Sequence, residues 1–103
     1  TLFVKIGDRY KAIPTKEISY FSAERKAVYC LIKERKSPIR TSLKNISTKL
    51  DHNFIRVHRS YIVNINMLKM VNFVEDTVNI DDKHVPIGAI YKKELLDKAI
   101  WLK

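Results

Sequence analysis

Residues 54–64 (FIRVHRSYIVN) hold the side chains of this sequence that are best suited to recognition chemistry. Two apolar runs, each predicted to be a strand, flank a polar bend at residues 58–60, which holds Arg59 at its tip. Arginine can donate two hydrogen bonds to the O6 and N7 edge of guanine in the major groove, and Ser60 could donate to phosphate. From these residues alone, base reading and simple pairing of Arg56 and Arg59 with acidic surface residues are equally good interpretations.

Other groups that could carry catalysis or bind a metal fit poorly. His58 and Ser60 share one strand face, but no strained nucleophile elbow surrounds the serine. Together with Cys30, His52 and His84, His58 matches no zinc spacing. Two glycines allow no Gly-rich phosphate loop. We therefore predict a protein that is not an enzyme and that holds neither a metal nor a cofactor.

Short apolar runs between turn residues predict a mostly β domain. The predicted strands are residues 2–6, 9–13, 18–23, 27–33, 54–57, 61–63, 69–74, 77–80 and 84–87, with a short extended piece at 39–41. Ser42, as an N-cap, and the stripe after it predict a short helix near residues 43–50. A second stripe predicts a C-terminal helix after residue 88, with Trp101 against the body of the domain. The residues of this stripe are Tyr91, Leu95, Ala99 and Leu102.

The charge of the 103-residue chain is strongly one-sided, with 20 Lys and Arg against 11 Asp and Glu and a formal net charge of +9. Residues 1–70 hold 15 basic and 5 acidic side chains, a net of +10, whereas the remainder holds 5 and 6, a net of −1. This surplus predicts a polyanionic partner, nucleic acid before an anionic membrane surface. A hydrophobic content of 46% excludes a disordered basic tail, and the length suits one domain spanning residues 1–103.

The lack of a targeting signal and the single cysteine indicate a cytoplasmic protein. The sequence does not open with a signal peptide. No apolar run in it approaches the roughly 20 residues that a membrane-spanning helix needs. A single cysteine excludes an intramolecular disulfide, and we expect Cys30 to be buried and redox-silent in a reducing compartment. Because Thr1 and not Met opens the sequence, we expect a fragment of a longer chain.

Residues 54–64 resemble the signature F-x-R-x-H-[RN]-S-[YF]-[IVL]-V-N of the LytTR (LytR/AlgR-type) DNA-binding domains. Residues 18–23 (ISYFSA) are similar to the family's I-x-Y-I-E-A strand, and residues 42–50 to the S-L-x-x-[IL]-x-x-x-L helix before its signature. Residues 84–87 (HVPI) resemble its late L-P-[VI] strand. The resemblance covers nearly the whole chain in order.

The resemblance implies an elongated stack of small antiparallel sheets with a short mid-chain helix and a C-terminal helix. It also implies a bacterial transcription regulator, commonly a response regulator of a two-component system whose N-terminal receiver or sensor domain lies outside this chain. The expected partner is double-stranded DNA with paired repeat sites, bound by loops in successive major grooves, with a possible homodimer on DNA. General binding of RNA or single strands through exposed aromatic residues is the alternative.

Three loops of the family contact DNA. Carried over to this sequence, the expected DNA-binding residues are Arg25, Lys26, Val28, Arg56, His58, Arg59, Ser60 and Ile90. Lys92 and Lys93 on the C-terminal helix are expected to replace some of the phosphate contact. Arg59 takes the base-reading position. Where most members have Ser-Arg or Ser-Lys after the late proline strand, this sequence has Gly88 and Ala89, so base reading should depend more on Arg59 and Arg25.

Overall fold

The computed structural model describes residues 1–102, and its ten strands form three antiparallel sheets. Strands β1 (Leu2–Ile6) and β2 (Arg9–Ile13) make a hairpin. The central sheet has the order β5-β4-β3-β7-β6. Its strands are β3 (Tyr20–Glu24), β4 (Ala27–Ile32), β5 (Arg35–Ile39), β6 (Phe54–His58) and β7 (Tyr61–Asn64). The third sheet, in the order β10-β9-β8, contains β8 (Met70–Asn72), β9 (Thr77–Ile80) and β10 (Lys83–Pro86).

The central sheet is covered on both faces because its strands alternate between two cores. On β3, Phe21 belongs to a core that also contains side chains of the β1–β2 hairpin, whereas its neighbour Tyr20 belongs to a second core against the β8–β10 sheet. The same alternation sends Phe54 to the first core and Ile55 to the second. The strand alternation of residues 54–57 agrees with this division.

Two short helices lie against the central sheet. Helix α1 (Leu43–Ser47) begins as predicted, because the Ser42 hydroxyl accepts a hydrogen bond from the Asn45 N–H at 3.0 Å. Helix α2 (Lys92–Lys98) follows a 3₁₀ turn at Ala89–Tyr91 and buries Leu95 in the second core. Cys30 lies fully buried in the first core, as predicted, and burial raises the pKa of its thiol to about 12.

Strand β5 differs from the prediction, which treated residues 34–38 as a connection. Lys33 and Glu34 form a tight turn with φ of 47° and 68°, although neither is the Gly, Asn or Asp that such angles favour. The residue types at these positions therefore did not predict this turn. Pro38, which lacks an N–H, is tolerated because β5 is an edge strand.

The C-terminal helix is shorter than predicted and ends at Lys98, since Ala99 is extended. Of the predicted stripe only Leu95 is buried, and Leu102 is fully exposed. The chain turns back so that the Trp101 Nε1–H donates to the Leu96 carbonyl at 2.9 Å. The Trp101 ring also lies 5.6 Å from that of Phe73, so the prediction that it packs against the domain is confirmed.

The described chain is elongated, measuring 49 × 26 × 25 Å along its principal axes. This shape, the three small antiparallel sheets and the two helices confirm the fold that the signature implied. None of the helices formed by residues 1–102 is long and apolar enough to span a bilayer.

Candidate nucleic-acid interface

Two of the expected DNA-contacting loops lie side by side at one end of the central sheet. They are the turn at residues 24–27, which joins β3 to β4, and the bend at residues 58–61, which joins β6 to β7. Strands β3 and β7 are direct neighbours, and the Ala23 N–H donates to the Ser60 carbonyl at 2.9 Å. This hydrogen bond ties the turn to the bend.

The third expected loop follows β10 and rests on the other side of the bend. A β-bulge interrupts the pairing of β6 between Arg56 and His58, and the Val57 carbonyl accepts a hydrogen bond from the Gly88 N–H at 2.7 Å. A Cβ on Gly88 would lie 3.7 Å from the His58 Cα and only 2.9 Å from Cδ2 of Tyr91. The distance to His58 is an ordinary contact, so glycine at this position mainly leaves room for the Tyr91 ring within the third loop.

Side chains of β6 hold the bend from within. The Arg56 guanidinium donates from Nε to the His58 carbonyl at 3.1 Å and from Nη2 to the Arg59 carbonyl at 2.5 Å. The Ser60 N–H donates to His58 Nδ1 at 3.0 Å, and the His58 ring meets the edge of Tyr61 at a centroid distance of 5.7 Å. We call these three hydrogen bonds the bend clamp. They occupy the backbone groups of the bend and leave the Arg59 side chain exposed at its tip.

The bend clamp gives a structural role to two of the expected DNA-binding residues. Arg56 and His58 are half-buried, and both direct hydrogen-bonding groups into the bend. Since His58 Nδ1 accepts, Nε2 is the nitrogen that carries a proton in the neutral ring. The Ser60 group that bonds to His58 is its backbone N–H, and not the hydroxyl that a nucleophilic serine would use.

The turn beside the bend is held by charge. Lys36 Nζ lies 2.5 Å from Glu24 Oε2 and 4.8 Å from the centroid of the Tyr29 ring, and Ser22 Oγ donates to the same carboxylate at 2.9 Å. The hydrogen bond from Lys36 lowers the pKa of the Glu24 carboxyl. With this carboxylate paired, the exposed tip presents only the cations Arg25 and Lys26.

The backbone at Arg25 is strained, because φ is 58° at a residue with a full side chain. Positive φ favours glycine, and an ordinary residue there costs about 1 kcal/mol.

The remaining expected contacts are placed unevenly. Val28 is only 7% exposed and lies in the first core, and this burial argues against the DNA contact that the resemblance suggested. Ile90 is 84% exposed on the third loop. Lys92 Nζ pairs with Asp76 Oδ1 at 2.8 Å, which anchors α2 to the β8–β9 turn, while Lys93 is exposed. The sequence offered no sign of the Lys92–Asp76 pair, since 16 positions separate the two.

The residues suspected of other chemistry are dispersed. Residues 1–102 contain no group of three or more His, Cys, Asp or Glu side chains able to hold a metal ion. Tyr20, Phe21 and Phe54 are buried in the cores, so they do not offer the exposed rings that single-strand binding would need. Phe73 is exposed but lies against Trp101.

Comparison with known proteins agrees with the signature. The model of the LytTr DNA-binding domain family matches residues 8–99. The sensory transduction protein LytT of Bacillus subtilis (strain 168) is 31% identical over 99 residues, covering 91% of this chain and 41% of that protein. An uncharacterized response regulatory protein of Yersinia pestis is 27% identical over 95 residues, covering 88% and 39%. The chain therefore spans about two fifths of the length of these curated relatives.

A solved structure agrees in fold. The LytTr DNA-binding domain of a protein described as a methyl-accepting/DNA response regulator from Bacillus cereus superposes with a TM-score of 0.79, at 26% identity and 94% coverage of each chain. Nothing in the comparisons supports the alternative of a general RNA or single-strand binder. The family match over most of the sequence and the shared fold confirm the resemblance, and this chain belongs to the LytTr DNA-binding domain family.

Proposed function

We propose that the domain binds double-stranded DNA through the row of loops at one end of the central sheet, with Arg59 reading bases in the major groove. The bend clamp is the observation that carries this proposal, because it fixes the backbone on which Arg59 stands. An arginine on a rigid base can keep the planar, two-bond geometry that guanine recognition needs.

The spacing of the loops suits a duplex. Neighbouring strands lie about 4.8 Å apart, which places the turn at residues 24–27 and the bend at residues 58–61 about 10 Å from each other. A major groove is about 12 Å wide. If Arg59 enters the groove, Arg25 and Lys26 come near the groove edge, where phosphates lie.

The third loop has a smaller part in base reading. Gly88 and Ala89 have no side-chain hydrogen-bond donor. The exposed Ile90 offers an apolar contact of the kind that thymine methyl groups accept. Lys93, exposed on α2, is suited to a phosphate contact, whereas Lys92 is engaged with Asp76. Sequence preference should therefore be concentrated at the base pairs near Arg59.

Selection of binding sites from random duplexes, followed by measurement on the selected site, tests this function. Arg59→Ala should weaken specific binding by roughly 1–3 kcal/mol and flatten the preference among sequences, because one arginine–base contact is worth that much. Its unfolding free energy should equal that of the unmodified domain, since the side chain is exposed. Unchanged preference in the Arg59→Ala variant would show that another residue reads the bases.

We also infer the larger context. The domain serves as the DNA-binding output of a longer bacterial transcription regulator in the cytoplasm, with residues 1–103 as one domain after an N-terminal receiver or sensor. The names of the relatives and the share of their length that this chain spans support this. Footprinting of the full-length protein on a selected site would reveal whether two copies bind paired repeats as a homodimer.

Absence of catalysis belongs to the same proposal. The one serine–histidine pair that the sequence offered is used to close the bend, with the serine N–H and not its hydroxyl on His58. We expect no hydrolysis of DNA during prolonged incubation with the domain.

A further inference from the structure

A basic groove lies outside the three loops, between the β1–β2 hairpin and the segment that follows β5. Its wider part, a cavity of about 780 Å³, is lined by Lys5, Lys26 and Arg40 among others. A narrower part of about 220 Å³ shares Lys5 and Arg40 and adds Lys49. The two parts form one groove, which we call the hairpin groove, running from the β3–β4 turn to the end of α1.

The charge of the hairpin groove is almost entirely positive. Among the ion pairs of residues 1–102, none involves Lys5, Lys26, Arg40 or Lys49. Asp8 is the single acidic residue of its lining in this part of the chain. Four cations without paired carboxylates are suited to a polyanion.

The groove continues the proposed interface sideways. Ile39 pairs with Val28, so β5 ends at the same end of the central sheet as the β3–β4 turn, and Arg40 follows immediately. At about 4.8 Å per strand, Arg40 lies about 17 Å from the bend that carries Arg59. This separation exceeds the roughly 12 Å width of one major groove, so Arg40 falls beyond the bases, over the backbone that borders them.

We propose that the hairpin groove binds the sugar–phosphate backbone flanking the bases that Arg59 reads, with Lys5 and Arg40 as its phosphate contacts. Lys26 lies in both surfaces and connects them. This inference rests on the proposed function and extends it from the loops to the β1–β2 hairpin. It assigns the groove a share of affinity and no share of sequence preference, because phosphates are the same at every base pair.

The test compares two variants with equal loss of charge. Lys5→Gln/Arg40→Gln removes the two groove cations, and Lys69→Gln/Lys83→Gln removes two cations from the β8–β10 sheet. All four side chains are exposed, so both variants should fold. Affinity for the selected duplex is measured from 50 to 300 mM salt, with long and with trimmed flanks.

Each lost phosphate contact lowers the slope of log affinity against log salt by about 0.9, so the groove variant should lose about 2 in slope on the long duplex. Its affinity at 0.1 M salt should fall by about tenfold per contact, and trimming the flanks should abolish the difference from the unmodified domain. The β8–β10 variant should keep the original slope.

Equal slopes for the two variants on the long duplex would overturn the groove assignment, and would leave the groove to an acidic protein segment or to no partner. Sequence preference and the Arg59→Ala result report on the proposed function, whereas the salt slope of the double variants reports on the groove. Either can therefore fail while the other stands.

Discussion

The β6–β7 bend and the β3–β4 turn are neighbours, and each presents an arginine to solvent, but they are held by different forces. The bend clamp joins side chains to backbone carbonyls and to a backbone N–H. In the turn, by contrast, the exposed Lys36–Glu24 ion pair supplements the β3–β4 pairing, and Arg25 is held at a positive φ. Ion pairs in water are weak and sensitive to salt, whereas hydrogen bonds within a bend are directional. The bend is thus suited to precise base reading, and the turn to the looser attraction of phosphate.

Arg56→Ala should have the largest effect, because it removes both guanidinium hydrogen bonds of the bend clamp. We expect the unfolding free energy to fall by about 1–2 kcal/mol, measured by urea denaturation, since two carbonyls lose charged donors. Specific binding should fall at least as far as in Arg59→Ala, because Arg59 loses its fixed base.

Arg56→Lys separates this positioning role from a direct phosphate contact. Lysine keeps the charge but cannot place two donors on two carbonyls in the arginine fork. The lysine variant should retain the salt slope of the unmodified domain on random DNA and still lose preference for the selected site. Recovery of full preference by Arg56→Lys would assign Arg56 to phosphate and remove it from the bend clamp.

The sequence predicted the bend far better than it predicted what holds it. Alternation in residues 54–57 and the polar triplet after them were sufficient to place Arg59 at a tip. The Arg56 guanidinium reaches the His58 and Arg59 carbonyls beside a bulge in β6. No residue type in the sequence predicts this bulge. Transfer of the family's contact pattern assigned Arg56 to DNA, which stays a prediction, but gave no indication that its guanidinium supports the bend.

Strand β5 and Val28 also differ from what the sequence suggested. Strand β5 was missed because the Lys33–Glu34 turn adopts left-handed angles without the usual residues. Val28 was included among DNA contacts although the alternation of β4 places it on the same face as Cys30, in the first core. Pairing with neighbouring strands decided the first outcome, and pairing is not visible in a local stretch of sequence. The second outcome follows from the alternation of β4, which the transfer of the family's contact pattern did not take into account.

Arg25→Gly and Lys33→Gly form a matched pair at opposite ends of β4, since each replaces a charged residue at positive φ in a tight turn. Both should raise the unfolding free energy, by up to about 1 kcal/mol, as the strain is relieved. Only Arg25→Gly should weaken DNA binding, by about tenfold at 0.1 M salt, and reduce the salt slope by about 0.9. The measurements are urea denaturation and fluorescence anisotropy with labelled duplex. Equal DNA affinity of the two variants would remove Arg25 from the interface.

Glu24→Gln should have the smallest effect on the unfolding free energy. Its effect should depend on pH, because it removes the carboxylate of the turn, whereas the bend clamp contains no carboxylate. The pKa of Glu24 is lowered in the folded domain by the hydrogen bond from Lys36, so its contribution to stability is complete at neutral pH. That contribution is lost as the pH falls from the usual glutamate range, about 4.3, through the lowered value. The unmodified domain should therefore be slightly more stable than Glu24→Gln at pH 7, and this difference should shrink as the pH falls below the usual glutamate range.

Glu34→Gln, at the far turn and outside the ion pairs of residues 1–102, is the control for this comparison. Both substitutions remove one negative charge, but only Glu24→Gln frees Lys36 beside the DNA-facing turn. It should therefore bind duplex more tightly at low salt than Glu34→Gln, with unchanged sequence preference, because the bend clamp contains no carboxylate. A loss of preference in Glu24→Gln would show that the turn and the bend act as one rigid unit, and the contrast between them would then fail.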